Sequence, residues 1–198
     1  WMGEILFRTK LSENLFKGLS PWMQKLPGGL IHVNIVGCAL FAAISGSSAA
    51  TVATVGKMSI PELRKRNYPE KILLGSLAGS GTLGLLIPPS IILIIYGVAV
   101  QESIAKLFIA GIIPGIMIAL IFMSYVIIWS LINKKKMPKV LEKYSFLEKM
   151  KRSQQLLPVI LLILGVIGSI YTGIATATEA ASLGVVGALI LSFLQKSL

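Results

Sequence analysis

Ser76-Leu77-Ala78-Gly79-Ser80-Gly81-Thr82-Leu83-Gly84-Leu85-Leu86-Ile87-Pro88-Pro89-Ser90 decides how this chain is read. It lies inside an uncharged run, residues 72–100, that is 29 residues long. As one helix that run would rise roughly 43 Å at about 1.5 Å per residue, well beyond the ~30 Å hydrocarbon core of a bilayer. Gly79, Gly81 and Gly84 lie close together, and Pro88-Pro89 follows. Glycine weakens a helix, Pro89 excludes the α region for Pro88, and neither proline donates a backbone hydrogen bond. The spacing therefore predicts two half-helices, about residues 72–78 and 89–100, joined by an unwound segment near the middle of the membrane. Bare backbone is tolerated at that depth only against protein or a water-filled cavity. Here it comes with the hydroxyls of Ser76, Ser80, Thr82 and Ser90, hard oxygen ligands suited to small cations. A broken helix of this composition marks a transporter's binding site.

The totals agree with a membrane protein. Of 198 residues 55% are hydrophobic, and the mean hydropathy is +0.81. The net charge of +11 invites a nucleic-acid reading, but the basic residues fall in short clusters between uncharged spans, which argues against nucleic acid. Cys38 is the single cysteine, so no internal disulfide framework exists, and His32 is the single histidine. Metal sites and catalytic dyads need partners, so His32 reads as a packed or interfacial side chain. One histidine also leaves general acid–base chemistry short of candidates, and the chain does not read as an enzyme. It begins at Trp1 and stops just inside an apolar run, which reads as a piece of a longer polypeptide.

Residues 1–26 place Leu11, Leu15, Leu19 and Trp22 at helical spacing among Arg8, Lys10, Lys17 and Lys25. This is either an amphipathic arm helix at the membrane surface or a plain connection, interrupted by Ser20-Pro21 and Pro27-Gly28-Gly29. Residues 27–56 carry no charge, with Ile44-Ser45-Gly46-Ser47-Ser48-Ala49 just past the middle. One span and a re-entrant helical hairpin compete there, and charge decides between them. Basic clusters flank the stretch on both sides, with Lys57, Arg64, Lys65, Arg66 and Lys71 after it, and cytoplasmic flanks are rich in Lys and Arg. A hairpin keeps both clusters inside. Residues 72–100 then cross outward, 108–132 return, 133–155 form a basic cytoplasmic loop containing Lys134, Lys135, Lys136, Lys139 and Lys143, and 156–172 cross outward again. The last apolar run, 180–194, starts back. On this topology every one of the 19 basic residues except Lys106 is cytoplasmic.

Read in order, these motifs resemble a known family. Ile44-Ser45-Gly46-Ser47-Ser48-Ala49, Ile60-Pro61, Gly84-Leu85-Leu86-Ile87-Pro88-Pro89-Ser90-Ile91, Tyr96-Gly97, Leu107-Phe108-Ile109-Ala110-Gly111 and Pro114-Gly115 are similar to the large membrane subunit of TRAP (tripartite ATP-independent periplasmic) transporters. Thr176-Ala177-Thr178-Glu179-Ala180-Ala181 resembles that family's Thr-Pro-Thr-Glu-Ala-Ala element, with Ala177 departing from its proline. The resemblance implies an all-α polytopic membrane protein of elevator-type ion-transporter architecture. It implies one inverted repeat, with a re-entrant helical hairpin and a broken transmembrane helix, plus the opening of a second repeat in 156–198. It also implies sodium (Na+) as coupling ion, an organic-acid substrate such as a C4-dicarboxylate or a sialic acid, and a bacterial inner-membrane location. The implied partners are a small membrane (Q-like) subunit, a periplasmic substrate-binding (P-like) protein and the lipid bilayer, with no nucleic acid.

The hairpin tip and the unwound segment should then meet near the bilayer midplane. Ser45, Gly46, Ser47, Gly79, Ser80, Gly81 and Thr82 are the expected sodium set, since carbonyls and hydroxyls supply cation ligands without burying an unpaired carboxylate. Ser47, Ser48, Pro88, Pro89 and Ser90 are the expected substrate set, where two restarting helices aim N–H groups at a carboxylate. The milder account makes Ser-Gly-Ser a tight turn and the glycines a packing face. Glu179 is either a proton or cation carrier or, as favoured here, half of a capping box with Thr176. Two further functions stay open: a proton-coupled or single-component carrier of related fold, and a non-transporting membrane scaffold.

Overall fold

The computed structural model describes residues 4–5, 8–9, 11–138 and 144–194, the side chains of 11 and 12 excepted. Parts of the expected arm, with Lys10, and of the expected basic loop, with Lys139 and Lys143, lie outside the described residues. The described residues are mostly helical, and no strand occurs among them.

After α1 (Leu11–Met23), two helices fold back on each other: α2 (Ile31–Ser45) and α3 (Ser48–Lys65). The turn follows from its residues. Gly46 closes α2 in the left-handed region at φ 60°, ψ 9°, which costs glycine little, and Ser47 is extended and caps α3 by accepting the Ala50 N–H at 3.5 Å. A Cβ on Gly37 would lie 3.6 Å from Val55, which places the two helices antiparallel along their length.

Helix α4 (Glu70–Gly81) runs parallel to α2, and polar side chains set its register. The Tyr68 hydroxyl accepts the Leu30 N–H at 3.0 Å at one end. Further along, the Asn34 amide donates to the Leu73 carbonyl (3.3 Å) and the Ser76 hydroxyl (3.1 Å). Asn34 is fully buried, as are Ile31, Val33, Ile35, Cys38 and Leu73 around it. Lipid removes most of the hydrophobic drive between helices, so such hydrogen bonds and close packing carry the association.

A 3-10 turn (Thr82–Leu85) follows α4, then irregular backbone to Ser90, then α5 (Ile91–Ala99). The break expected around 79–82 is thus displaced: α4 continues through Gly79, Ser80 and Gly81, a 3-10 turn takes 82–85, and the irregular backbone runs over 86–90. Glycine costs a helix only about 1 kcal/mol whereas proline costs about 3, so packing carries the helix across the glycines and Pro88-Pro89 stops it. The second half-helix also begins at Ile91 instead of 89.

Helix α6 (Ile104–Ile132) returns antiparallel along both halves. A Cβ on Gly79 would lie 3.6 Å from the Phe122 ring, and one on Gly115 would lie 2.9 Å from Ile87. It starts four residues before the expected 108, because Ser103 caps it by accepting the Lys106 N–H at 3.5 Å. Its opposite face, with Ile113, Leu120 and Ile128, is exposed apolar surface.

The expected basic loop contains the short helix α7 (Phe146–Ser153), which continues through a 3-10 turn into α8 (Leu157–Tyr171). Helix α9 (Ala177–Leu194) starts before the expected 180. Its start is fixed by the capping arrangement. The Glu179 carboxylate accepts from the Thr176 N–H and hydroxyl, both at 2.8 Å, and the Thr176 hydroxyl accepts the Glu179 N–H at 3.3 Å. Helix α1 runs through Pro21 and ends at Met23, two residues on, because a proline near the last turn removes a single hydrogen bond. It lies on α7: the Trp22 indole donates to the Ser153 hydroxyl at 2.7 Å, and the Lys149 ammonium sits 5.2 Å from the Trp22 ring. Among the described residues, three helices are long and apolar enough to cross a membrane: Ile104–Ile132, Phe146–Tyr171 and Ala177–Leu194.

Candidate functional site

The hairpin tip docks on the interrupted stretch. The Ile91 N–H donates to the Gly46 carbonyl at 3.3 Å, joining the tip to the first residue of α5. A Cβ on Gly84 would stand 2.8 Å from the Ser48 nitrogen and 2.9 Å from the Ser47 carbonyl carbon; one on Gly46 would stand 2.9 Å from the Pro89 carbonyl oxygen. Gly81 differs: a Cβ there would meet the Val52 side chain, with the Ser48 carbonyl oxygen 3.8 Å away. Bare backbone therefore meets bare backbone. Side chains larger than hydrogen at Gly84 or Gly46 would push the tip away.

Each expected site residue can be placed. Ser45 donates to the Ser47 carbonyl at 3.2 Å and lies 2.8 Å from the Thr51 hydroxyl, so two hydroxyls stack beneath the tip. Ser47 caps α3, and Ser48 opens it. Ser90 is fully buried and donates to the Leu85 carbonyl at 2.6 Å, which braces the open segment across its own loop. Pro88 is buried and Pro89 is half-buried. Thr82 is exposed and donates to the Gly79 carbonyl at 2.6 Å. Ser80 points elsewhere: it donates to the Ser76 carbonyl at 2.6 Å and faces the Asn34 carbonyl at 3.5 Å, within the α2–α4 contact. Gly79 faces α6. The geometry thus gathers Ser45, Gly46, Ser47, Ser48, Gly81, Pro89 and Ser90 at the tip, and leaves Gly79 and Ser80 in helix packing.

A cavity of about 210 Å³ opens beside this contact. Ser45, Gly46, Pro89 and Ser90 form one wall, and Val166 and Ile170 of α8 with Ala177 and Ala181 of α9 form the other. The described lining carries no charged side chain. Its polar atoms are hydroxyls and backbone groups, a donor set that fits a weakly held monovalent cation or one end of an anion. Helices α3 and α5 both start here, and the first four N–H groups of a helix lack intrahelical partners. Two of these are already engaged, Ala50 N–H by Ser47 and Ile91 N–H by Gly46.

Sequence reasoning missed Thr51 and the α8–α9 wall. Thr51 is fully buried and stands four residues after Ser47, so helical spacing alone would have placed it under the tip. Val166 and Ile170 look like any lipid-span residues, and only the fold brings them here. Asn34 is the lone amide of the uncharged 27–56 stretch, and that was its signal.

Comparison with known proteins identifies the family. The family model described as "Tripartite ATP-independent periplasmic transporter, DctM component" matches residues 1–198. The C4-dicarboxylate TRAP transporter large permease protein DctM of Pseudomonas aeruginosa is 42% identical over 159 residues, covering 80% of this chain and 36% of that protein. The sialic acid TRAP transporter large permease protein SiaM of Vibrio cholerae is 36% identical over 191 residues, covering 96% of this chain and 44% of that protein. The ectoine/5-hydroxyectoine large permease protein UehC of Ruegeria pomeroyi is 35% identical over 196 residues, covering 96% and 44%. The chain spans less than half the length of these relatives, which are permeases and not enzymes. With a docked hairpin, a proline-broken helix, three apolar helices long enough to span and a whole-chain match, this membrane protein belongs to the DctM component family of tripartite ATP-independent periplasmic transporters.

Proposed function

We propose that the chain is part of the permease of a sodium-coupled importer of organic acids in the bacterial inner membrane, working by an elevator movement. The substrate class is a carboxylate such as a C4-dicarboxylate or a sialic acid. A periplasmic binding protein delivers it, and a small membrane subunit completes the permease. The observation carrying this reading is the contact of the tip with the open segment: the Gly46 carbonyl receives the Ile91 N–H at 3.3 Å, and Gly84 lies against Ser47 and Ser48. That contact gathers carbonyls and hydroxyls without a carboxylate, which suits a cation of one charge, and it directs two helix N-termini toward one place, which suits an anion. A re-entrant hairpin follows from the basic flanks on both its sides.

The test uses the complete subunit set in proteoliposomes with the binding protein supplied outside. Uptake should follow an inward sodium gradient. Equal uptake driven by a proton gradient in sodium-free buffer overturns the sodium assignment, and uptake without the binding protein overturns the tripartite one.

A further inference from the structure

The cavity beside the docked tip has two unlike walls. The tip and the start of α5 supply its polar atoms, the hydroxyls of Ser45 and Ser90 and the backbone of Gly46 and Pro89. The wall from α8 and α9 is aliphatic throughout: Val166 and Ile170 on one helix, Ala177, Ala181 and Val185 on the other. Helical spacing accounts for this. Val166 and Ile170 stand four residues apart, as do Ala177, Ala181 and Val185 in turn, so each helix lines the cavity with a single stripe. Valine and isoleucine close the wall, and the small alanines leave the room in it.

The unlike walls discriminate among carboxylates. Held by one carboxylate at the tip, a dicarboxylate would set its second charge against Val166, Ile170 and Ala181. Among the described residues that wall offers neither a cation nor an N–H donor, and burying an unpaired charge is costly. Aliphatic carbon in the same place gains instead, about fourfold in affinity for each methylene removed from water. Size sets the length. At roughly 30 Å³ for each water-sized group, the 210 Å³ holds about seven non-hydrogen atoms, a carboxylate with about four further carbons. A sugar acid exceeds that.

We propose that the site takes a monocarboxylate with a short aliphatic tail, about five carbons in all, and that the tail lies against the α8–α9 wall. The carboxylate end rests on the transport reading, which this inference narrows; the aliphatic end rests on the lining.

The test is thermal-shift titration of the purified full-length permease with its small membrane subunit, in detergent and without the binding protein. The ligands are acetate, butyrate, pentanoate, heptanoate and succinate, each with and without sodium. In sodium, affinity should rise about fourfold per methylene from acetate to pentanoate and gain nothing more at heptanoate. Succinate should bind more weakly than butyrate, which has the same carbon count and one carboxylate. Ala181→Leu, at an exposed position of α9, displaces about two methylenes and should weaken pentanoate about 16-fold while leaving acetate unchanged. Val185→Ala enlarges the same wall and should carry the rise on to heptanoate; it serves if the leucine variant does not fold. Val186→Leu, exposed on α9 outside the cavity, should leave the whole series unchanged. A chain-length rise that both cavity variants leave intact is partition into detergent and overturns the proposal. Tighter binding of succinate than of butyrate overturns it too, and if that binding needs sodium the transport reading stands. Sodium-dependent binding of none of the five acids overturns both.

Discussion

Replacing Gly84 with alanine tests the docking of the hairpin tip on the open segment. The added methyl would meet three backbone atoms: Ser48 N at 2.8 Å, the Ser47 carbonyl carbon at 2.9 Å and Ser48 Cα at 3.0 Å. Backbone cannot rotate away as a side chain can, so tip and 3-10 turn must separate by several tenths of an ångström. Overpacking of this kind costs about 1–3 kcal/mol. The stiffer unfolded chain returns about 0.4–1 kcal/mol, since the substitution removes glycine's freedom. The net is a loss of about 1–2 kcal/mol, or an apparent Tm lower by about 2–8 °C at roughly 2–4 °C per kcal/mol for a chain of this size. Gly165→Ala on α8 is the control, because nothing lies within 4 Å of the added methyl. It should hold or raise Tm. The assay is thermal unfolding of the purified permease in detergent, followed by size-exclusion fluorescence. Equal Tm values for the two variants would refute the close backbone approach.

Three more outcomes follow from individual contacts. Ser90→Ala removes the donor to the Leu85 carbonyl inside a buried loop and should cost about 1–3 kcal/mol, read as a lowered Tm with the sodium dependence of uptake retained. Glu179→Gln keeps a capping side chain and should be near neutral, while Glu179→Ala should lose about 0.5–2 kcal/mol; abolished uptake in the glutamine variant would instead make Glu179 an ion carrier. Burial, opposed by the Leu30 N–H and the Arg66 charge, pushes the Tyr68 phenol up. A raised pKa in the folded state means the native protein holds its proton longer than the unfolded chain, so stability falls as pH rises past about 10. Tyr68→Phe should remove that part of the alkaline loss, visible as a shallower fall of Tm with pH than in wild type.

Much of the architecture is legible in the residues, for reasons that can be named. Gly46 followed by Ser47 is a left-handed helix end joined to an N-cap, and both halves of that turn are local. Pro88-Pro89 ends a helix wherever it stands, so the interruption of 72–100 is also local information. Its edges are not. Gly79 and Gly81 can mark either a break or a close approach, and Phe122 and Val52, both distant in sequence, decide for approach. Helix α7 hides among lysines, although Ser145 and Glu148 carry its capping signal, with the Ser145 N–H donating to Glu148 at 2.9 Å. Ser80 shows the limit for the site. Its hydroxyl sits beside the interrupted segment in sequence, but the parallel packing of α2 and α4 turns it toward Asn34. The wall from α8 and α9 depends wholly on how a later hairpin packs, which no local pattern encodes.

The central claim is that hydroxyls at the docked tip hold the coupling cation. Its most direct test is the sodium concentration giving half-maximal uptake in proteoliposomes of the complete system. Ser45→Ala and Ser47→Ala should each raise it severalfold to about tenfold, the latter corresponding to ~1.4 kcal/mol. Ser124→Ala on α6, whose hydroxyl donates to the Leu120 carbonyl at 2.8 Å far from the tip, should leave it unchanged. Identical sodium curves for all three variants and wild type would contradict the account.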